Sequence, residues 1–320
     1  VRDLVLTLAV GRYAITEALL DGSVHPRNVT FRSFALSSPE RHWRMLRHQE
    51  FDVCELSLAG YAKAVAADPD RWAAVPVFPH RRFRHGYVFT STAAGISSPE
   101  ELGGRVIGLR TWGTTAGLWM RGILQDHHGL DLHSVRWVTE HAESAASPSS
   151  GGFRVEPATA GLPALLGRGD LAAVIYPERL RGADIRPVFP DPDAAERAYA
   201  AGTGLFPIMH LVAVRRSLLE EHPWLAVELV TAFELAKAAA WQRASNPRWL
   251  PLAWGEQALA EQRAVLGEDP WRYGLQDNLP ELTTALRYAA EQGLTPRRLE
   301  PSELFWPSTH TRPPSYAAVH

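Results

Sequence analysis

The sequence predicts an α/β protein of two similar lobes, each a mostly parallel sheet flanked by helices. Three observations lead there. A chain of 320 residues favours two domains over one. "LVLTLAVGRYAITEALL" reads as strand, glycine turn and helix, and about a hundred residues later "RVIGLRTWGTTAGLWMRGIL" reads the same way. Downstream of each copy a helix leads through a short turn into an apolar strand, in "HWRMLRHQEFDVCELS" and in "GLPALLGRGDLAAVIYP". These strands, Asp52–Leu56 and Leu171–Tyr176, are short apolar runs bounded by turn residues. Strand, helix and strand in repeated order call for a parallel sheet with crossover helices.

After His210 the pattern changes. Leu211–Arg216 reads as one more strand, and Ser217 then caps a long helical region with Pro223 compatible with a first turn. Leu225, Leu229, Phe233, Ala236 and Ala240 recur at helical spacing, a face suited to core packing or to a homo-oligomer. "PELTTALRYAAEQGL" is a second amphipathic helix, ended by Gly293, and "DPDAAERAYAAGTG" is a short helix followed by a turn. Glu140–Gly152 is the clearest loop, and the Pro-rich tail after Phe305 wraps the surface or frays.

Bulk properties exclude several function classes. Hydrophobic content of 46% and charged content of 21% are those of an ordinary soluble globular protein. A net charge of −2 argues against nucleic-acid binding, which needs a basic field. Cys54 is alone, so there is no internal disulfide and no Cys-rich metal site. No apolar run reaches membrane-spanning length, and "LVLTLAV" is too short for a signal segment. The expected location is cytoplasmic, although a start at Val1 rather than Met leaves a removed leader open.

Ligands of such folds bind beyond the carboxyl ends of parallel strands and often between lobes. That rule selects Gly11, Arg12 and Tyr13; Glu55, Ser57 and Tyr61; Arg110 to Thr115; and Tyr176 with Glu178. "FPHRRFRHGYVF", Phe78 to Phe89, adds five basic residues in an apolar setting. Strand alternation would put His80, Arg82 and Arg84 on one face and Arg81, Phe83 and His85 on the other. Cations on both faces suit a cleft wall or a partial loop better than a half-buried strand. "FPIMH", Phe206–His210, lies where the chain would cross between lobes.

In collinear order, "MLRHQEFDVCELSLAGY", "VPVFPHRRFRHGYVF", "SPEELGGRVIGL", "TAGLWMRGILQDHHG", "LFPIMHLVAVRR", "HPWLAVELVTAFELAK" and "YAAEQGLTPRRLEPSELF" cover nearly the whole chain. Together they resemble the 4,5-dihydroxyphthalate decarboxylase family, which has the type II periplasmic-binding-protein fold. The resemblance implies a ligand cleft between two lobes joined by crossing strands. It also implies that a second lobe, 105–210, is inserted into a first lobe made of 1–104 and 211–320. Two segments depart from the family. "RTWGTT" stands where related decarboxylases tend to have a Glu-Tyr-Gln run, and "YPERLRG" brings an unexpected tyrosine after Ile175. The implied activity is therefore decarboxylation of a related aromatic or cyclic acid, in a specialised pathway.

Direct loss of CO2 from an aromatic ring would leave an aryl carbanion. Protonating the carbon that bears the carboxylate avoids it, because an ortho or para hydroxyl can carry the charge as a ketone-like tautomer. Such a site needs a general acid, an acceptor for the phenol and cations for a spectator carboxylate, but no organic cofactor. His85 and His210 are the general-acid candidates, against a structural role for each. Glu55 would accept the phenol proton, orient a histidine, or pair with Arg82 or Arg84. Arg82 and Arg84 are the carboxylate clamps, and Arg81 is expected at the surface. Ser57, Thr111, Thr114 and Thr115 are substrate-binding candidates; the threonines open a helix, where they either bind an anion or simply cap. Trp112 would stack on an aromatic ligand while Trp119 and Trp137 suit the core. Tyr176 would close the pocket or bond the substrate. His85, His210 and Glu55 also make a two-His-one-carboxylate set, but no HxH or HxxxH spacing supports a metal, and none is expected.

The partner implied is a small carboxylate substrate. Two alternatives remain at this level: a solute-binding protein handing a carboxylate to a transporter, and a biosynthetic enzyme of the same fold with different chemistry. Fold alone does not decide between them.

Overall fold

The apolar runs that follow each predicted helix become the inner strands of two sheets. The protein is described here by a computed structural model covering residues 3–141 and 151–311. Most of the expected loop at Glu140–Gly152 and the end of the tail lie outside the described residues. In chain order the strands are β1 (Leu4–Val10), β2 (Val29–Ala35), β3 (Val53–Ser57), β4 (Trp72–Arg81), β5 (Val88–Ser91), β6 (Val106–Leu109), β7 (Arg136–Thr139), β8 (Arg154–Pro157), β9 (Ala173–Ile175), β10 (Ile185–Pro187) and β11 (Ile208–Arg215). The helices are α1 (Glu17–Leu20), α2 (Ser38–His48), α3 (Leu58–Ala67), α4 (Thr115–His128), α5 (Leu162–Gly167), α6 (Pro192–Thr203), α7 (Arg216–Glu221), α8 (Leu225–Ala244), α9 (Gly255–Leu266) and α10 (Leu279–Glu291). Among the described residues no helix is long and apolar enough to cross a membrane.

Unit 1 runs to Arg81, resumes over Ile208–Thr283 and again from Glu300. Its five-stranded sheet has the order β2-β1-β3-β11-β4. β1 pairs in parallel with β2 and β3, whereas β11 runs antiparallel to both β3 and β4. β3, "VCELS", therefore lies inside the sheet, and its first four residues are fully buried. Leu8, Val53, Leu56, Phe78 and Val212 fill the core around it.

Unit 2 comprises Arg82–Pro207 and Thr284–Leu299. Its six strands follow the order β10-β5-β9-β6-β7-β8. β9, β6, β7 and β8 pair in parallel, and β5 joins β9 and β10 antiparallel. Phe89, Leu162, Leu166, Leu171 and Val174 pack together beneath that sheet. The sequence reading divided the lobes at 104/105, but the units divide at 81/82. The reason is that β5 makes its ladder bonds to strands of unit 2. Thr284–Leu299 also belongs to unit 2. Gln292 accepts from Arg121 Nε at 2.7 Å and donates to the Leu118 carbonyl at 3.0 Å, tying this segment to α4.

Two local expectations change. Ser217 sits within α7, and the helical region divides into α7 and α8 at His222, Pro223 and Trp224. Pro223 disfavours helical backbone at the residue before it. The strand carrying the basic run ends at Arg81, so alternation does not reach Arg82 or Arg84. Arg81 itself is 2% exposed rather than a surface residue. It pairs with Glu281 at 3.4 Å and hydrogen-bonds Asn278 and the Arg272 carbonyl. Burial pushes its guanidinium down to about 10, which still leaves it charged at neutral pH.

Removing one partner of a buried ion pair leaves the other charge uncompensated. Glu281 keeps Arg272 at 2.8 Å, which softens the loss. Arg81→Met is expected to destabilise unit 1 by about 3 kcal/mol in urea denaturation. A change below about 0.5 kcal/mol, the level of an exposed pair, would show that the buried network does not depend on it.

Candidate functional site

The chemistry of unit 1 gathers where β1 and β3 end. Glu55 lies on β3 with no exposed surface. Its Oε2 accepts from the Gly11 amide, just beyond β1, at 2.6 Å. Its Oε1 accepts from the Tyr13 hydroxyl at 2.9 Å and forms an ion pair with Arg41 Nη2 at 2.6 Å. Gly11 is required by this turn, since a Cβ there would meet the Tyr13 ring at 2.4 Å. Thr16 closes the turn, donating to the Gly11 carbonyl at 2.7 Å and accepting from the Tyr13 amide at 3.0 Å.

Arg41 comes from the first turns of α2 and shares its buried face with Met45 one turn later. Its other bonds hold it in place: Nε to the Glu55 carbonyl at 3.2 Å, Nη1 to Leu36 O at 2.7 Å and Nη2 to Ser38 Oγ at 3.1 Å. Burial opposes a charge on Glu55. His210, then Arg41 and the Gly11 amide, outweigh it and hold the carboxyl well below its ordinary range. The Tyr13 phenol moves the other way, raised first by burial and then by the Glu55 charge.

The remaining partner of Glu55 Oε1 is Nδ1 of His210, on β11. An ionised carboxylate only accepts, so Nδ1 carries the proton and exchange with any ligand falls to Nε2. His210 is 8% exposed. Two further imidazoles face it. His80, its cross-strand partner on β4, stands with its ring centroid 4.7 Å away at 75°. His42, next to Arg41 on α2, lies 5.1 Å away at 84°. The Tyr13 ring stacks on His80 at 5.7 Å. His42 Nε2 is enclosed without a hydrogen-bond partner, and burial, followed by the His210 charge, lowers the His42 pKa well below its ordinary value.

Glu55 and His210, both expected as site residues, thus meet directly. Glu55 pairs with Arg41 rather than with Arg82 or Arg84. Four donors already surround its carboxylate. Ser57 ends β3 and caps α3, accepting from the Gly60 amide at 3.2 Å.

The other expected residues belong to unit 2. His85 is 1% exposed and packs on Phe189 and Tyr199, with ring centroids 5.0 and 5.5 Å away. Burial, then the neighbouring His128 and His127, push its pKa down to about 4, which disfavours the charged form. Its enclosure among aromatic rings is a structural use of the imidazole, the role weighed beside that of general acid. Arg84 is buried and donates to the Pro177 carbonyl at 3.1 Å, a structural use in place of a carboxylate clamp. Arg82 is exposed and donates to the Tyr87 hydroxyl at 2.9 Å. Trp112 is 2% exposed, not a stacking platform; its Nε1 donates to Gln292 O at 3.0 Å, and Arg121 lies 3.8 Å over its ring. Thr114 caps α4 by accepting from the Gly117 amide at 3.2 Å, and Thr115 is the buried first residue of that helix. Thr111 is half-buried, its carbonyl accepting from Thr114. Tyr176 is half-buried, with the Arg110 guanidinium 5.9 Å from its ring.

Arg41 and His42 were absent from the sequence candidates, although a signal existed. Met45 lies one helical turn beyond Arg41 and marks the inward face of α2, unlike Arg44 and Arg47. His80 stands in the same basic run, but strand alternation carried through Arg84 groups it with the arginines and assigns it no role of its own. Among the described residues no group of three or more His, Cys, Asp or Glu is arranged to hold a metal ion.

Two sheets of five and six mostly parallel strands, crossed by antiparallel β11 and β5, define the type II periplasmic-binding-protein fold. The periplasmic aliphatic sulphonate-binding protein SsuA from Escherichia coli matches 94% of this chain and 92% of its own, with TM-score 0.51 and 13% identity. The ligand-binding component of an ABC-type import system from Staphylococcus aureus matches 97% and 99%, with TM-score 0.56 and 14% identity. A mutant of DszB in complex with biphenyl-2-sulfinic acid matches 97% and 98%, with TM-score 0.51 and 15% identity. At these identities the likeness is one of fold. No family model matches the chain. Its sequence is, however, 35% identical over 320 residues to the 4,5-dihydroxyphthalate decarboxylase of Comamonas testosteroni, covering 95% of this chain and 97% of that protein. The Pseudomonas putida enzyme of the same name is 38% identical over 181 residues, 54% of this chain and 70% of its own. The chain belongs to the 4,5-dihydroxyphthalate decarboxylase family: it is a decarboxylase-like protein on a periplasmic-binding-protein-like fold.

The buried charges make stability pH-dependent in two separable ways. Glu55 is depressed below its ordinary value of 4.5, so its contribution is complete above that pH and is lost as pH falls below it. Glu55→Gln is expected to cost about 3–5 kcal/mol at neutral pH, by stranding Arg41, and to flatten the decline below pH 4.5. His85 binds a proton when unfolded near 6.5 but only near 4 when folded, so stability falls as pH drops through that window. His85→Phe should remove that slope in urea titrations between pH 4 and 6.5. An unchanged slope would mean that His85 is not held neutral by its surroundings.

Proposed function

We propose that this chain decarboxylates a hydroxylated aromatic carboxylic acid, with His210 as the general acid. The observation that carries the reading is the His210–Glu55 pair backed by Arg41. Glu55 fixes the imidazole's tautomer and favours its protonated form, and Nε2–H is then the proton donor. Protonating the carboxylate-bearing ring carbon converts the hydroxylated ring into a ketone-like tautomer. The C–CO2 bond then breaks, its electron pair restores aromaticity, and solvent returns a proton to His210. A positioned acid of this kind raises the rate by about 100-fold to 10,000-fold. The route itself needs no organic cofactor.

The substrate of the relatives, 4,5-dihydroxyphthalate, is the first acid to offer, followed by a panel of hydroxylated benzoates and phthalates. The "RTWGTT" and "YPERLRG" segments, read in the sequence as departures from the family pattern, are the reason for testing related acids beside it.

In deuterated water the product is expected to carry one deuterium at the carbon that lost CO2. His210→Asn should lower kcat by about 100-fold or more while KM changes little. Unchanged turnover in that variant would remove His210 from the chemistry. Binding of the acids without release of CO2 from the wild type would favour a receptor.

A further inference from the structure

A decarboxylation through a protonated ring is eased when a second group takes the hydroxyl proton, and Glu55 is not placed to do so. Its oxygens already face the Gly11 amide, the Tyr13 hydroxyl, Arg41 and His210. The Tyr13 hydroxyl is engaged with Glu55 and, at 3.5 Å, with Arg41. His42 Nε2 is enclosed. Among the described residues His80 also faces His210, and it keeps part of its surface exposed on β4. Its register opposite His210 brings the two rings to 4.7 Å, near enough for a single aromatic ring to meet both. Tyr13, whose ring stacks on His80, limits how the His80 ring can turn.

We propose that His80 is the second proton-transfer group of the site, taking the proton of the ring hydroxyl while His210 delivers one to the carboxylate-bearing carbon. The inference rests on the decarboxylase reading. Neutral His80 accepts the hydroxyl proton as its O–H bond breaks, and the ring's electron pair forms a C–H bond with the proton from His210. CO2 then departs, and the C–C electron pair returns to the ring as a phenolate. His80 gives its proton back to that oxygen and ends neutral, and solvent reprotonates His210. The net reaction consumes one proton and needs no oxidant or reductant. It also defines the substrate class: the hydroxyl must stand ortho or para to the departing carboxylate.

The test is the pH profile of kcat for the full-length wild type and for His80→Gln, with His80→Asn as a second variant should the first fail to fold. The wild type should give a bell. Its acidic limb reports the group that must be neutral, and its alkaline limb the group that must be protonated. Both variants should lose about 100-fold in kcat with KM nearly unchanged, and should lose the acidic limb. A halogenated substrate whose hydroxyl is already ionised should recover most of the rate in the variants, which a merely structural role would not allow. Wild-type kinetics in a folded variant, or no recovery with the ionised substrate, would overturn the proposal. If the wild type decarboxylates none of the acids, the functional reading itself has failed. Histidine NMR titration of the ligand-free protein then decides the pair. A shift of the His210 titration in His80→Gln supports a coupled site, and an unchanged titration overturns it.

Discussion

A carboxylate with no exposed surface is the constraint around which unit 1 is organised. Moving such a charge out of water costs several kcal/mol unless donors replace the lost hydration. Glu55 recovers it from four directions: a backbone amide after β1, a phenol from the same turn, a guanidinium from α2 and an imidazole from β11. The donors come from three segments, so the ends of β1 and β3, the start of α2 and the crossing strand are tied to one another. Residues that look incidental follow from this. Gly11 is small because Tyr13 must fold back over it, and Thr16 holds that turn.

The same arrangement gives the histidines their distinct characters. His210 touches an anion and is therefore favoured in its charged form. His42, enclosed beside it and beside Arg41, is held neutral. His80 belongs to the edge strand and keeps contact with solvent. Three chemically equal side chains thus differ through position alone: one is paired with an anion, one is enclosed and one is partly exposed. The antiparallel strand is essential here. A fully parallel sheet would require a crossover between β4 and the strand beside it, whereas β11 returns to place His210 directly opposite His80.

The architecture was legible because it depends on periodicity and order. Each strand–turn–helix copy needs only local hydrophobic pattern to be recognised, and β1, β3, β6, β9 and α4 all form within a few residues of the expected places. Glu55 and His210 were legible as candidates by their placement at strand ends or crossovers. Their meeting was not, since they are 155 residues apart and join through a sheet register that no local pattern encodes. Arg41 illustrates the limit well. In "RHWRMLRH" three arginines have the same helical propensity, and only the position of Met45 distinguishes the one that turns inward. The run around Arg82 failed differently. Alternation is a valid rule only while the strand lasts, and the strand ends at Arg81 before the remaining basic residues begin. His85 was legible as a histidine of either catalytic or structural use, and its packing on Phe189 and Tyr199 depends on contacts that no local pattern encodes.

The fold shared with sulfonate-binding proteins does not by itself distinguish a receptor from an enzyme, but the cost of the Glu55 network helps to. A receptor for a small anion gains from fixed donors: arginines, hydroxyls and helix-end amides. A buried carboxylate next to the binding histidine works against that task, because it repels an anionic ligand and neutralises the donor that would hold it. For proton transfer the balance reverses. The carboxylate favours the protonated imidazole and turns Nδ1 toward itself, an arrangement suited to giving up a proton where an arginine could not. The residues around Glu55 are therefore better matched to moving a proton than to holding an anion, which is the physical ground for reading this member of a binding-protein fold as an enzyme.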